Sequence, residues 1–239
     1  MLMSGTALER RMTWAGGAFN NWLEESGSIS DNDTSLSGRI TGVPYAADDD
    51  SHLIHLGLGL RHTEVNNTVQ YRARPEFQHA PFFVDTDLLQ ADSSQIYNME
   101  AAWRLGPAMV SGEYMYNNLS APDYGDPQFS GYHATLSYVL TGEMREYNRR
   151  NGLFRPVPIA QAVTHGGWGM WEASARYSNI DLTDGSVDGG EMDIYSLGLN
   201  TFLTSTMSIS MNYRHSVLDQ LGETGHANGF LFRVMLMLD

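Results

Sequence analysis

Strict alternation of apolar and polar residues is the feature that most constrains the fold of this chain. In the run YSLGLNTFLTSTMSISMNYRH (195–215), apolar residues occupy every second position on both sides of a short FLTST break. Successive side chains of a β-strand point to opposite faces, so the run predicts two strands, each with one apolar and one polar face. The apolar face must be covered either by a packed core or by lipid.

Segments of this kind recur along the whole chain, whereas helix signals are scarce. We predict eleven strands, at 11–23, 36–43, 52–63, 68–74, 95–105, 108–119, 129–143, 169–182, 193–202, 206–217 and 229–238. Many have the length of about ten residues that a tilted transmembrane strand needs, whereas strands of soluble proteins usually have about five or six. No composition shift marks a boundary, so residues 1–239 are predicted to form a single domain.

The connections and the two faces favour a transmembrane antiparallel up-and-down β-barrel. Tight connections at 105–108 and 202–206 contrast with long polar ones at 24–35, 75–94, 117–128 and 145–168, as expected for short periplasmic turns and longer outer loops. Aromatic residues lie toward the ends of the apolar faces, as in membrane girdles, and Arg, Glu, Asn and His occupy the polar faces, as in a hydrated lumen. A soluble β-sandwich binding module alternates in the same way and remains the alternative.

Composition excludes several classes of function. The chain has 239 residues, a net charge of −14 and no Cys, and its 14 basic residues are all Arg. Disulfides and Cys-ligated zinc are therefore excluded, and the acidic balance argues against nucleic-acid binding. No HExxH, GxSxG or P-loop is present, so we predict neither an enzyme nor a cofactor. The acidic run at 181–193 lacks EF-hand spacing and is predicted to be a hairpin turn rather than a metal site.

Several longer motifs carry a family resemblance over nearly the whole chain. They are LSGRITGVPYAADDDSHLIHLGLGLR (36–61), RARPEFQHAPFFVDT (72–86), EAAWRLGPAMVSGEYMY (100–116), GYHATLSYVLTGEMREYNRRNGLF (131–154) and the long run from 171 to 215. Together these motifs resemble the phosphate-selective porin O and P family. The YVLTGExRxY run and the ARYSxxDLxDGxxxGG hairpin are the most specific of them.

The resemblance implies an outer-membrane porin of a Gram-negative bacterium, with sixteen strands and three copies per assembly, that passes phosphate, polyphosphate or related anions. Its partners would be those anions, outer-membrane lipid and lipopolysaccharide. About eleven strands are predicted here, and the alternating pattern begins almost at the first residue without a visible signal peptide. We therefore expect the N-terminal part of the barrel to be missing. Lipid does not tolerate the unpaired edges of an open sheet, so further strands or a partner would have to close it.

Anion selectivity requires cationic side chains that point into the pore, and Arg suits phosphate because its planar fork donates two hydrogen bonds. By strand parity, the pore-lining candidates are Arg61, Arg104, Arg176, Arg214 and Arg233. Arg72 and Arg74 are two residues apart and are predicted to form a two-rung ladder. The alternative is a structural network in which these residues pair with Glu100, Glu113 and Glu172, and the acidic balance leaves open a general or cation-tolerant porin.

Overall fold

The computed structural model describes residues 2–20 and 33–237 of the chain, and the regular structure in these ranges is almost entirely β-strand. In chain order the strands are β1 (Leu2–Ala7), β2 (Met12–Asn20), β3 (Thr34–Ala46), β4 (His52–Glu64), β5 (Thr68–Val69), β6 (Arg72–Ala73), β7 (Val84–Asp85), β8 (Leu89–Gln90), β9 (Ser93–Leu105), β10 (Ala108–Ser120), β11 (Gln128–Val139), β12 (Tyr147–Asn148), β13 (Leu153–Phe154), β14 (Met170–Asp184), β15 (Val187–Phe202), β16 (Met207–Gln220) and β17 (Glu223–Leu236).

The eleven long strands form one antiparallel sheet in the order β1-β2-β3-β4-β9-β10-β11-β14-β15-β16-β17. Each long strand pairs with the next long strand along the chain, which is the predicted up-and-down arrangement. Within the described ranges, β1 pairs only with β2 and β17 only with β16, so the sheet is open at both edges. The all-β prediction and the porin-type strand arrangement are confirmed, and the sheet is not closed into a barrel.

The large sheet has eleven strands, the number that the sequence predicts, but one of the predicted strands is not part of it. Segment 68–74 does not join the sheet, because its residues form β5 and β6 within the connection between β4 and β9. The sheet instead includes β1, which the sequence pattern missed because its six residues LMSGTA carry little apolar contrast. Alternation in 68–74 is real, but Val69, Tyr71 and Ala73 pack against a buried core between the connection and the sheet rather than on the outer face. Residues 21–23 and 238 of the predicted segments, and 24–32 of a predicted connection, lie outside the described residues.

One face of the sheet is apolar and exposed. Leu58 in the middle of β4 is 57% exposed, and its neighbours across the two adjacent strands, Ile40 and Met99, are exposed as well. A water-soluble sandwich would cover such a face with a second sheet. The other sheets in the described part of the chain are three two-stranded pairs, and none is long enough to do this. The structure therefore favours the barrel prediction over the sandwich.

Exposed aromatic residues lie near both ends of this outer face, as predicted. Trp14, Trp103 and Tyr138 lie toward one end of their strands, and Tyr97 and Tyr132 lie toward the other. Trp22, near the end of the predicted strand 11–23, lies outside the described residues. Rings with a polar atom at one edge suit the boundary between lipid and water, which is why such belts form in membrane barrels.

The opposite, polar face is covered by two long connections, loop 65–92 and loop 140–169. Loop 65–92 contains the pairs β5–β8 and β6–β7, and loop 140–169 contains the pair β12–β13. The main buried core lies where the first loop meets the sheet, and its members include Val84, Leu119, Phe129, Met192 and Ile194. The packed interior of the described structure therefore lies between a loop and a sheet, rather than between two sheets.

Tight turns and long connections do not separate cleanly between the two ends of the sheet. Loop 140–169 leaves the same end as the tight turns at 106–107 and 203–206, whereas the two-residue turns at 185–186 and 221–222 lie at the end from which loop 65–92 leaves. The acidic run at 181–193 is the hairpin turn that the sequence predicted, because β14 ends at Asp184 and β15 begins at Val187. No helix in the described ranges is long and apolar enough to cross a membrane.

Candidate functional site

The candidate site is the polar face of the sheet together with the two loops that lie on it. Parity places Arg39 of β3, Glu100 of β9, Arg176 of β14 and Arg214 of β16 on this face, opposite the exposed apolar residues. Half of the acidic residues in the described ranges lie in turns and loops rather than in strands, whereas the strands bring arginines to this face. The net charge of the chain therefore does not describe the charge of this surface.

Loop 65–92 is attached to the sheet through Glu76. Its carboxylate accepts hydrogen bonds from Arg176 Nε at 3.2 Å and Ser178 Oγ at 3.1 Å, and Arg214 Nε lies 3.2 Å from its second oxygen. Arg214 also donates from Nη1 to the backbone carbonyl of Glu76. The neighbouring Phe77 ring lies directly over Gly229, where any side chain would collide with it. The loop is thus fixed on the polar face across β14, β16 and β17.

The same loop presents two guanidinium groups on one aromatic ring. The guanidinium carbons of Arg72 and Arg74 lie 4.1 Å and 3.9 Å from the centre of the Phe82 ring. Arg74 Nε donates to the carbonyl of Ala80 at 2.8 Å, which fixes the side chain further. In the described part of the chain, neither arginine has a carboxylate within ion-pair distance, and both are exposed. The ring stabilises two neighbouring like charges through its π-face without neutralising them.

Loop 140–169 is held against the other half of the polar face. Arg39 Nε donates to Glu100 Oε1 at 2.7 Å, and Arg39 Nη2 donates to the carbonyl of Gly152 at 3.3 Å. The Tyr147 hydroxyl and His55 Nδ1 are 2.8 Å apart and form a hydrogen bond. Burial raises the pKa of the Tyr147 phenol, so it remains a neutral hydrogen-bonding group near neutral pH. The loop therefore meets the sheet through a mixed polar and aromatic contact.

A third cluster joins this loop to the turn between β3 and β4. The Arg104 side chain is fully buried and donates to the backbone carbonyls of Arg145 and Asp50, and its Nη2 lies 3.4 Å from an Asp50 carboxylate oxygen. Arg149 pairs with the same carboxylate at 3.2 Å, and Arg145 pairs with Glu172. A guanidinium enclosed in this way holds two segments together and is shielded from dissolved ions.

The structure divides the seven arginines that the sequence proposed into two groups. Three have carboxylate partners: Arg104 with Asp50, and Arg176 and Arg214 with Glu76. The other four have no ion pair within residues 2–20 and 33–237, and they are Arg61, Arg72, Arg74 and Arg233. Arg61 donates to Ser35 Oγ at 3.1 Å, and Arg233 lies opposite Ser210 at the edge strand. Their role as anion contacts stays a prediction.

The predicted structural network exists in part, with different members. Glu100 and Glu172 do form ion pairs, but their partners are Arg39 and Arg145, which were not among the candidates. Glu113 has no ion pair in the described ranges. Parity could have identified Arg39, because it shares a face with Ser37 and Thr41 in the predicted strand 36–43. The loop residues that complete the pairs, Glu76 and Arg145, carry no periodic signal and could not be identified in that way.

Comparisons with known proteins agree with this architecture. A family model described as phosphate-selective porin O and P matches residues 5–237. Porin O of Pseudomonas aeruginosa is 30% identical over 154 residues, which cover 58% of this chain and 34% of porin O. An uncharacterized protein of Caulobacter vibrioides is 29% identical over 208 residues, which cover 85% of this chain and 41% of that protein. The chain thus spans between about a third and two fifths of the length of these relatives.

The match extends over nearly the whole chain, and the fold observed independently of it is a single antiparallel sheet with an apolar, exposed outer face. Both observations agree with the motifs at 36–61, 131–154 and 171–215. The chain belongs to the phosphate-selective porin O and P family, whose members are outer-membrane porins of Gram-negative bacteria.

Proposed function

We propose that this chain forms part of the wall of a water-filled channel through which phosphate and other small anions diffuse passively. The observation that carries the proposal is the pair Arg72 and Arg74, which are exposed in loop 65–92 beside one aromatic ring and have no carboxylate partner in the described part of the chain. Cationic groups attract anions strongly where walls of low dielectric surround a narrow aqueous path. Guanidinium also binds phosphate oxygens in pairs.

Closure of the channel is part of the proposal. Hydrocarbon leaves unpaired backbone groups unsatisfied, and the outer edges of β1 and β17 are unpaired in the described ranges. We infer that further strands close this sheet into the sixteen-stranded barrel that the family resemblance implies, with the turn at 203–206 on the periplasmic side. The trimer and the contacts with outer-membrane lipid and lipopolysaccharide stay predictions of that resemblance.

Channel recording on the complete, closed porin tests the selectivity. Under a tenfold salt gradient, a perfectly anion-selective channel reverses at about 59 mV, with the sign set by the anion. We expect an anion-selective sign, and we expect Arg72→Ala combined with Arg74→Ala to move the reversal potential toward zero. Arg155→Ala is the control, because Arg155 is an exposed loop arginine that pairs with Glu146 at 3.6 Å and should have little effect. A cation-selective sign in the unmodified porin would reject the proposal.

A general or cation-tolerant porin is the second candidate. It is favoured by the pairing of Arg104, Arg176 and Arg214 with carboxylates, which cancels much of their field at the pore surface. The same reversal-potential measurement separates the two candidates, since a general porin gives a value close to zero that changes little when Arg72 and Arg74 are replaced.

A further inference from the structure

Glu76 occupies a position on the polar face that has the geometry of an oxyanion site. Each of its carboxylate oxygens has its own guanidinium: Arg176 Nε is 3.2 Å from Oε1, and Arg214 Nε is 3.2 Å from Oε2. Ser178 adds a hydroxyl donor to Oε1 at 3.1 Å. Arg176 and Ser178 donate hydrogen bonds to the carboxylate, whereas Arg214 Nε forms an ion pair with it and makes no hydrogen bond in the described structure. Two guanidinium groups and a hydroxyl at these positions also suit two oxygens of a phosphate or sulfate ion.

The carboxylate is held in this site by the loop rather than by a strand of the sheet. Glu76 has a φ of +57°, in the left-handed region that non-glycine residues rarely adopt, and this local conformation follows Pro75 in loop 65–92. The ring of Phe77 anchors the loop against Gly229, and the Arg214 guanidinium lies 5.2 Å from the centre of that ring. The backbone carbonyl of Glu76 accepts a separate hydrogen bond from Arg214. The loop thus has contacts with the wall that do not depend on the Glu76 charge.

Water can reach this cluster. The side chains of Arg176, Glu76 and Arg214 are 34%, 26% and 15% exposed, in contrast to Arg104, which is fully buried. These ion pairs are partly exposed, so water and dissolved ions compensate part of each charge when the pairs exchange partners. This part of the structure therefore has two kinds of arginine. Arg72 and Arg74 of the loop have no carboxylate partner among the described residues, whereas Arg176 and Arg214 of the sheet have one that the loop supplies.

We propose that Glu76 is a tethered competitor for permeant oxyanions at the Arg176–Arg214 site. This inference rests on the proposed function, and it adds the identity of a second anion site and the residue that controls its occupancy. A tethered group competes at a high effective concentration, so an incoming phosphate ion binds only in the fraction of time when the carboxylate is displaced. Weak net binding of this kind allows an ion to enter and also to leave, as conduction requires.

Phosphate block of the chloride current through the complete porin in planar bilayers tests the inference. Glu76→Gln keeps the size of the side chain and the backbone hydrogen bond but removes the competing charge. We expect the inorganic phosphate concentration that halves the chloride current to fall about tenfold, within the usual range of coupling between two sites. Glu146→Gln is the matched control, because Glu146 is also a loop glutamate paired with an arginine, and it should leave the half-blocking concentration unchanged.

A double variant shows whether the effect comes from the freed arginines. Adding Arg214→Gln to Glu76→Gln should return the half-blocking concentration to at least the value of the unmodified porin. If Glu76→Gln alters the chloride conductance but not the half-blocking phosphate concentration, Glu76 only positions the loop and the inference is wrong. It is also wrong if the double variant keeps the tenfold gain.

The same measurements distinguish failure of the proposed function from failure of the inference about Glu76. An anion-selective porin in which Glu76→Gln has no effect on phosphate block retains the proposed function and loses the inference. A cation-selective porin that becomes anion-selective in Glu76→Gln rejects the proposed function and supports the inference. If the porin is cation-selective both unmodified and as Glu76→Gln, the proposed function and the inference are both wrong. Sulfate measured in place of phosphate shows whether the site selects among oxyanions or binds them as a class.

Discussion

Substitution of Leu58 and of Leu36 by Arg tests whether the exposed apolar face of the sheet is in contact with lipid. The two residues have the same chemistry and nearly the same exposure, 57% and 58%, and both lie on the outer face. They differ in depth, because Leu58 is the middle residue of β4 whereas Leu36 pairs with His62 near the end of that strand. Each is replaced by Arg, and the free energies of unfolding are compared.

The expected difference follows from the length of β4. The strand has 13 residues, so at about 3.3 Å per residue it is about 43 Å long. A tilt of about 40° reduces this to about 33 Å along the membrane normal, enough to cross the apolar band of about 25 Å. Leu58 is then at the midplane, and Leu36 is about 10 Å closer to the interface. Arg costs about 2–4 kcal/mol at the midplane and about 0–1 kcal/mol near the interface.

Urea unfolding of the complete porin in lipid vesicles, followed by tryptophan fluorescence, measures both free energies. We expect Leu58→Arg to destabilise the protein by about 1–4 kcal/mol more than Leu36→Arg. In water, both substitutions at such exposed positions would stay within about 0.5 kcal/mol. Equal and small effects of the two substitutions would therefore refute the assignment of this face to lipid.

Two further predictions concern how the loops are held. Arg104→Met should lower the free energy of unfolding by about 2–3 kcal/mol, because it removes a buried guanidinium bonded to two backbone carbonyls. The reversal potential should stay unchanged, because a fully buried group cannot contact a permeant ion. Gly152→Ala should destabilise the protein by about 2 kcal/mol and make loop 140–169 more sensitive to limited proteolysis. Gly152 has a φ of +65°, and the methyl group of an alanine at this position would collide with Thr41.

Each of these two predictions has a control in the chain. Gly142 also has a positive φ, +92°, but an added methyl group meets nothing within 4 Å, so Gly142→Ala isolates the backbone strain from the collision. Equal proteolysis of the two glycine variants would contradict the role assigned to the collision. For Arg104, a changed reversal potential with unchanged stability would show that the residue contacts permeant ions after all.

The alternation of apolar and polar residues was sufficient to predict most strands of the sheet, but it gave a wrong prediction for segment 68–74. Alternation indicates that a strand has one apolar and one polar face, but it does not indicate which part of the protein or which solvent contacts each face. In β4 and β9 the apolar face is exposed on the outside of the sheet, whereas the apolar residues of 68–74 pack against the main buried core, between loop 65–92 and the sheet. Both segments satisfy the same local rule, so only the path of the chain in three dimensions distinguishes them.

At the candidate site, residues on strands could be predicted from the sequence, whereas their partners in loops could not. Parity placed Arg176 and Arg214 on the polar face correctly, because residues two apart on a strand share a face. It could not show that Glu76, 100 and 138 positions away from them in sequence, brings a carboxylate to both. Nor could it distinguish the buried Arg104 from the exposed Arg61, since both satisfy the same parity.

The sequence by itself determined that this chain forms long antiparallel strands with an apolar outer face, because side-chain direction in a strand repeats every two residues and is therefore written in the local order of residues. The motifs also determined the family. Only the tertiary structure decided which arginines are neutralised and which have no ion pair among the described residues. Loop 65–92, loop 140–169 and the turn between β3 and β4 bring carboxylates and carbonyls to these arginines from distant positions. Charge pairing depends on distances between side chains, and in a loop no periodicity links those distances to the sequence.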